Sequence, residues 1–493
     1  MNGTSLIPDL DGDGPRYQQL TRALSAAIRD GRLQPGTRVP ASRALAREHG
    51  LSRNIVLLAH DRPGGGLFRG AAAGRHVRLA RPRPAHRRRS PRIRIDDSPA
   101  PLRAAGARLV RLSEGAQAVT RRQVRPRIDF MYGLCAPDAR MLPHLTRAWA
   151  RALAQSGNFL YGQAAGDDRL RAELARRLHA ARGIARGPES LIVTSGAQQA
   201  LDLCARLLLA PGDAVVVEDP GYEAARAAFA ASGATVVPVT VDREGLDPDR
   251  LPRGRHRVRL VYVTPSHQFP TGAILSAARR QALLSWAHRH GAHVVEDDYD
   301  GDLRFGGAPI KALAASDAHH AVIYCGTFAK ALFPSLRLGY LSLPQHLASS
   351  GASVKWLLDR GTSTLLQHVV ADLMASGEYD RHLRRMHRRY AARRAVLVRT
   401  LHERLGTDVI VSGDTAGLHL VAWLPTLPAS AADELESACL ARGVAVYSIA
   451  RHALRPLRRA GIMLGYGLLD EDAIEEGVRV LAAAVKRIRT RTG

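Results

Sequence analysis

From Ile128 onwards the chain alternates short runs of β-branched residues with helical stretches. The runs are Leu191-Ile-Val-Thr194, Ala214-Val-Val-Val-Glu218, Thr235-Val-Val-Pro-Val-Thr240, Val258 to Thr264, His293-Val-Val-Glu296, Ala321-Val-Ile-Tyr-Cys325 and Leu338 to Leu343. Helical blocks such as Asp168 to Ala180 and Ala278 to His290 lie between them. Strands that are apolar along their whole length must be covered on both faces, and crossover helices are what covers them. The pattern predicts an α/β fold with a mainly parallel sheet. Open sheets of this kind bind ligands at the carboxyl ends of their strands, so the residues after each run are where chemistry is sought.

Three strand ends stand out. After Thr194 comes Ser195-Gly-Ala-Gln-Gln-Ala-Leu201, a small turn that opens a helix. Its free N–H groups and dipole suit an anion, although a plain β–α turn reads the same. After His293-Val-Val comes Glu296-Asp-Asp-Tyr-Asp300. Adjacent carboxylates are costly to bury unpaired. A metal or a cationic ring nitrogen would each account for them, but no histidine stands at ligand spacing. After Cys325 comes Gly326-Thr-Phe-Ala-Lys-Ala-Leu-Phe-Pro-Ser-Leu-Arg-Leu-Gly-Tyr340. Lys330 sits there among apolar neighbours, in a chain with four lysines and 67 arginines. Burial lowers a lysine's pKa, as an amine nucleophile forming a Schiff base requires. Lys311, Lys355 and Lys486 read as surface residues, and Arg337 is suited to holding a phosphate bidentately.

The N-terminal quarter differs. Residues 1–127 carry 26 arginines against nine acids, a net +17 of the chain's +26. Such a footprint fits a polyanion partner, though the bias of the whole chain towards arginine inflates it. Tyr17, Leu20, Leu24, Ala27 and Ile28 recur at helical spacing. Gly31 to Gly36 breaks that helix, Ala41 to His49 predicts a second, and Ser52 is a suitable N-cap for a third, Arg53 to about His60. Two short helices joined by a Gly-containing turn form a helix-turn-helix pattern. Between Arg78 and Ile95 stand eight arginines, three prolines and no acids, the composition of an extended linker. The expected organisation is a tail over 1–14, a DNA-binding domain over 15–77, a linker over 78–127 and the α/β domain over 128–490.

Composition excludes other classes. With 493 residues, 46% hydrophobic, the chain buries a large core without disulfide staples. The four cysteines are far apart, with no CxxC pair, so reduced thiols, no zinc site and a cytoplasmic location are expected. No apolar run reaches the ~18 residues of a membrane helix, and the start lacks the layout of a signal peptide.

Taken in order, the segments Pro35-Gly-Thr-Arg-Val-Pro-Ala-Ser-Arg43, Val263-Thr-Pro-Ser-His-Gln-Phe-Pro-Thr-Gly272, Glu296 to Asp300 and Thr327 to Tyr340 resemble a known combination. The larger part is similar to fold-type I aminotransferases, which use pyridoxal 5'-phosphate. Its fusion to a winged helix-turn-helix resembles the MocR/GabR group of bacterial transcriptional regulators within the GntR family. The resemblance implies an α/β transferase fold of large and small subdomains with an N-terminal α+β winged domain. It also implies that Lys330 forms the Schiff base and that Asp297, rather than Asp298, pairs with the pyridinium nitrogen. Adjacent strand residues face opposite ways, so one of the two faces the ring. Tyr299 would reach the phenolic oxygen, and Tyr222 would stack on the ring unless it is a surface turn residue. Gly196, Ala197, Gln198, Thr327 and Arg337 would hold the phosphate, and Tyr161 would reach it from the partner subunit of a homodimer. Arg43, Arg47, Ser52, Arg53 and Asn54 would contact double-stranded DNA.

There are departures from the pattern. Ala329 precedes the lysine where a hydroxyl is common, and Gln268-Phe-Pro-Thr-Gly272 replaces the Asn-Pro-Thr-Gly of aminotransferases. In Ile462-Met-Leu-Gly-Tyr466, Met463 stands where aminotransferases carry the arginine that grips the substrate carboxylate. Arg451, Arg455, Arg458 and Arg459 are the candidates to compensate. Ile55 replaces a usual threonine, and Pro63 with three glycines occupies the place of the next helix and wing. The expected function is a regulator that senses a B6 vitamer, an amine or an amino acid. The alternative is an aminotransferase with a decayed DNA-binding region, and a third reading is a DNA-binding protein with a vestigial pocket.

Overall fold

The computed structural model describes residues 10–34, 38–39, 41–60, 68–69, 77–79, 109–110, 126–155, 159–254, 257–306 and 310–492. The chain divides into two compact units, Met1–Ala100 and Pro101–Gly493. Most of the arginine-rich stretch between them lies outside the described residues.

The first unit holds α1 (Arg16–Arg29), β1 (Arg38–Val39), α2 (Ser42–Glu48), α3 (Arg53–His60), β2 (Phe68–Arg69) and β3 (Val77–Leu79). The apolar positions spaced along α1 bury Leu20 and Leu24 against Leu33, Leu45 of α2 and Val56 of α3. Ser52 caps α3, its Oγ accepting the Ile55 N–H at 3.4 Å. β3 lies between β1 and β2, antiparallel to both. The segment with Pro63 and the three glycines falls outside the described residues, but β2 and β3, which follow it, pair.

In the second unit, β4 (Ile128–Asp129) is followed by the strands of an eight-stranded sheet: β5 (Leu191–Thr194), β6 (Ala214–Asp219), β7 (Thr235–Asp242), β8 (Gly245–Leu246), β9 (Val258–Val263), β10 (His293–Asp298), β11 (Val322–Thr327) and β12 (Gly339–Ser342). Their order is β5-β12-β11-β10-β9-β6-β7-β8. The ladders joining β11, β10, β9, β6 and β7 are parallel, whereas β12 runs antiparallel to both of its neighbours, β11 and β5. All seven apolar runs of the sequence are strands of this sheet, which β8 extends as a short hairpin.

Both faces of the sheet are covered, which is why its strands are apolar throughout. Val193, Val216, Val261 and Val294 point into one cluster, with Leu170 and Leu174 of helix Asp168–Arg182 and Leu283 of helix Ala277–His290. Ile192, Val215, Tyr262, Val295 and Cys325 point into another, under helices Ala197–Leu208 and Glu223–Ala231.

A smaller antiparallel sheet follows, with β13 (Ile410–Ser412), β14 (His419–Leu424), β16 (Tyr447–Ser448) and β17 (Ala460–Gly465) in the order β13-β14-β17-β16. Helices Glu378–Leu405, Ala431–Leu440 and Glu471–Thr492 pack with it around a third core. β15 (Val444–Ala445) pairs in parallel with β4 and so ties the start of the unit to its small subdomain. All four cysteines are free and buried. Among the described residues no helix is long and apolar enough to cross a membrane, and no cluster of His, Cys, Asp or Glu could hold a metal.

Candidate active site

Lys330 lies in the turn after β11, where its Nζ donates to the Gly133 carbonyl at 2.6 Å. Gly133 has φ +75°, and a Cβ there would come within 2.8 Å of that Nζ. Glycine therefore leaves the amine its room. Burial lowers the Lys330 pKa, the nearby charges of Asp300 and Asp297 oppose that effect, and Arg337 adds to it.

The carboxylates at the end of β10 separate by strand alternation. Glu296 accepts the N–H groups of Leu313 and Ala314, at 2.7 and 2.9 Å. Asp298 lies 2.8 Å from Arg182 Nε and accepts the Tyr324 hydroxyl at 2.6 Å. Asp297 faces the other side, where its Oδ2 accepts the Tyr262 hydroxyl at 2.8 Å. Its Oδ1 is buried with no hydrogen-bond partner. Burial pushes the Asp297 pKa up to about 7 despite the Tyr262 bond.

Beyond β10, the Tyr299 hydroxyl sits 3.0 Å from His267 Nδ1, and Asp300 Oδ2 lies 2.6 Å from the same nitrogen. His267 Nε2 is 3.2 Å from the Gly413 carbonyl. Burial works to lower the His267 pKa, but the charge and hydrogen bond of Asp300, with the Gly413 carbonyl, together outweigh it and the net shift is upward. Acceptors at both ring nitrogens suit an imidazolium. This buried pair was not among the residues expected from the sequence. A signal was present, a histidine in the Ser266-His-Gln-Phe-Pro-Thr-Gly272 loop and a carboxylate just past Tyr299, but nothing in one dimension joins them.

The turn after β5 is held from two sides. The Ser195 N–H donates to Gln199 Oε1 at 2.7 Å, and Arg337 Nη2 donates to the Ser195 carbonyl at 3.0 Å. Gly196 caps helix Ala197–Leu208 at φ +92°, and a Cβ there would lie 3.1 Å from the Arg337 guanidinium. The first N–H groups of that helix have no intrahelical acceptor. Thr327 Oγ1 accepts the Ala329 N–H at 3.1 Å. Gln198 is exposed and donates to the Ala224 carbonyl.

Tyr222 precedes helix Glu223–Ala231, with its ring edge-on to Phe269 at 5.6 Å. Met463, on β17, is fully buried with Phe269, Val421, Ala445, Tyr447 and Ile449. Arg451 pairs with Glu436, Arg455 bonds Thr240 Oγ1, and the Arg459 guanidinium lies over the Trp423 ring. All four arginines from 451 to 459 are exposed. Tyr132, next to Gly133, rests against Phe269, Tyr447 and His452. Neither ring nitrogen of His452 has a partner, and burial lowers its pKa to about 3.

Tyr161 is 86% exposed, edge-on to Trp356, and is not brought to the other candidates of its own chain. In the first unit, Arg43, Arg47, Ser52, Arg53 and Asn54 are all exposed on α2 and α3 or between them. One reading is corrected: Lys355 is not a surface residue but is completely buried, with its Nζ 2.7 Å from both oxygens of Asp359.

These residues fit pyridoxal phosphate. A buried carboxylate oxygen awaits a cationic N–H, an amine with lowered pKa has space around it, and a helix start beside an arginine suits a phosphate.

Residues 130–459 match the family of class I and II aminotransferases. The chain is 35% identical over 489 residues to the probable rhizopine catabolism regulatory protein MocR of Rhizobium meliloti, covering 97% of this chain and 95% of that protein. It is 32% identical over 480 residues to the uncharacterized HTH-type transcriptional regulator YdeL of Bacillus subtilis, covering 96% and 97%. Among solved structures it is similar to LysN, the α-aminoadipate aminotransferase of Thermus thermophilus, complexed with N-(5'-phosphopyridoxyl)-L-leucine. That likeness has a TM-score of 0.68 at 29% identity, over 78% of this chain and 97% of that one.

Proposed function

The chain belongs to the class I and II aminotransferase family, in the branch of MocR-like helix-turn-helix regulators, and on that premise we propose that it is a cytoplasmic homodimer in which effector binding controls the grip on DNA. It is a transcriptional regulator with an aminotransferase-like domain, and its cofactor is pyridoxal 5'-phosphate. The effector is a B6 vitamer, an amine or an amino acid.

The bound cofactor supplies an aldehyde for an amine and a protonated ring that withdraws electrons. Lys330 offers the amine, and the free Oδ1 of Asp297 holds the ring N–H. Tyr299, steadied by His267, would reach the phenolic oxygen, and Tyr222 would cover the ring. Gly196, Ala197, Gln198, Thr327 and Arg337 bind the phosphate, and Tyr161 completes the site from the partner subunit. Lys330, whose pKa burial lowers, would present its amine to that aldehyde, and an effector amine would be its competitor there.

The observation that carries the regulatory reading is Met463, buried among apolar side chains where the family resemblance calls for the carboxylate-gripping arginine. Losing such a charge-assisted contact costs about 2 kcal/mol of amino-acid binding, which favours an amine or vitamer over an α-amino acid. At the other end, Arg43 and Arg47 would meet phosphates, while Ser52, Arg53 and Asn54 at the start of α3 would reach the backbone and base edges. The test is gel retardation of the protein's own promoter with and without cofactor and amine. Retardation that weakens steeply with salt and shifts with amine supports the reading. No promoter-specific retardation under any of these conditions overturns it.

The free Asp297 oxygen near Lys330 also favours a second reading, a working aminotransferase. Rapid single-turnover conversion of the cofactor to pyridoxamine phosphate by amino acids would favour it. A yellow, borohydride-reducible protein excludes a vestigial pocket.

A further inference from the structure

The chain has four lysines, of which Lys355 is completely buried and Lys330 half-buried. Lys330 is absorbed by the proposed site, and Lys355 is not. Lys355 lies on helix Gln345–Asp359, where its three N–H donors are matched by three acceptors: both Asp359 oxygens at 2.7 Å and Thr362 Oγ1 at 3.0 Å. An ion pair whose lysine is buried and whose carboxylate is half-buried is weak ground for stability, because desolvation offsets most of the attraction. Its partners suggest another role. Asp359 Oδ2 also accepts Gln199 Nε2 at 2.7 Å, and Gln199 Oε1 accepts the Ser195 N–H at 2.7 Å. The Asp359 pKa is raised by burial, but the bonds from Lys355 and Gln199 outweigh that and it stays below the usual carboxylate range.

An unbroken chain of hydrogen bonds thus runs from Lys355 through Asp359 and Gln199 to the backbone of the turn that opens helix Ala197–Leu208. It sets the orientation of the Gln199 amide. With Asp359 demanding a donor, the Nε2 end must face it, so the Oε1 end is left for Ser195. The Ser195 N–H is thereby drawn inwards, while Arg337 holds the Ser195 carbonyl from the other side.

We infer that Lys355, Asp359 and Gln199 are positioning residues for phosphate recognition, a polar strut that keeps the Ser195–Gln198 turn in its anion-receiving shape. The inference rests on the reading of that turn as the phosphate site. None of the three touches the phosphate in this arrangement; each acts through the next.

The test compares affinities of the full-length apoprotein for pyridoxal 5'-phosphate and for unphosphorylated pyridoxal, followed by absorbance. A general loss of structure weakens both ligands, whereas a misplaced turn weakens only the phosphorylated one. In Lys355→Met and Gln199→Leu the ratio of the two affinities is expected to narrow about tenfold, with pyridoxal binding held within about twofold. Gln199→Leu leaves the buried ion pair intact and decides the matter should Lys355→Met fail to fold. Arg337→Ala serves as the reference for the turn itself. A wild-type ratio in Gln199→Leu, alongside a narrowed one in Arg337→Ala, overturns the strut and spares the phosphate site. A ratio unmoved in all three variants overturns both, since the phosphate then lies elsewhere.

Discussion

Tyr262 donates its hydroxyl to Asp297 at 2.8 Å across two adjacent parallel strands, and the carboxylate's second oxygen is left buried and unpartnered. The two residues share a sheet face because Val295, two positions before Asp297, stands in register with Tyr262. One bond fixes the carboxylate's orientation, and the other oxygen remains available.

That arrangement makes the apoprotein pH-sensitive. The Asp297 pKa rises on folding from 3.8 to about 7, so between those values the folded chain keeps a proton that the unfolded chain has released. Stability therefore falls as pH rises from about 4 to about 7, by at most about 4 kcal/mol from this group. Asp297→Asn is expected to melt above the wild-type apoprotein at pH 8 and level with it at pH 4, while losing cofactor affinity. Equal melting temperatures across that range would contradict the assignment.

Mass spectrometry after borohydride reduction of the yellow protein should place the cofactor adduct on the peptide that contains Lys330. Lys330→Ala should be colourless. An adduct on Lys311, Lys355 or Lys486 would remove the basis of the site.

Met463→Arg puts a charge among Phe269, Val421, Ala445, Tyr447 and Ile449. The expected cost is about 3 kcal/mol or more in thermal unfolding, with partial recovery on adding an amino acid whose carboxylate pairs with the new guanidinium. Met463→Leu should lose less than about 1.5 kcal/mol. Equal melting temperatures for the two variants would mean that the methionine does not face a closed apolar environment.

In the first unit, Arg53→Ala should weaken promoter binding and lower the slope of log affinity against log salt by about one. Asn54→Ala should instead relax sequence preference with little change in that slope. Retardation assays over a salt series separate the two effects, and indistinguishable behaviour would argue against α3 as the reading helix.

Much of the large sheet was legible because each strand is apolar on both faces, a pattern that survives in one dimension. The choice of Asp297 over Asp298 came from the resemblance, through its place two residues before Tyr299; alternation along the strand said only that one of the two faces the ring, and the structure gives those neighbours opposite surroundings. The small subdomain was implied by the resemblance alone; its strands were not read from the residues, since β13, β15 and β16 span only two or three residues each and carry no apolar run of their own. Lys355 was misread because a lone lysine on a helix is ordinarily solvated; its i+4 carboxylate was visible, but the burial that makes the pair matter depends on β5 and helix Ala197–Leu208. Tyr262 looked like any strand aromatic, since its hydroxyl partner stands 35 residues away.

β12 runs against the grain of its neighbours, and that reversal sets an order of assembly. Arg337, at its start, meets Ser195 across a separation of 142 residues only once β12 has been threaded between β5 and β11. A nascent chain that has left the ribosome only as far as Leu332 holds Lys330 and Asp297 but lacks Arg337, which the proposed anion seat requires. On that proposal, uptake of the vitamin would report that the central sheet is complete, and a fragment ending before Arg337 should emerge unable to retain it.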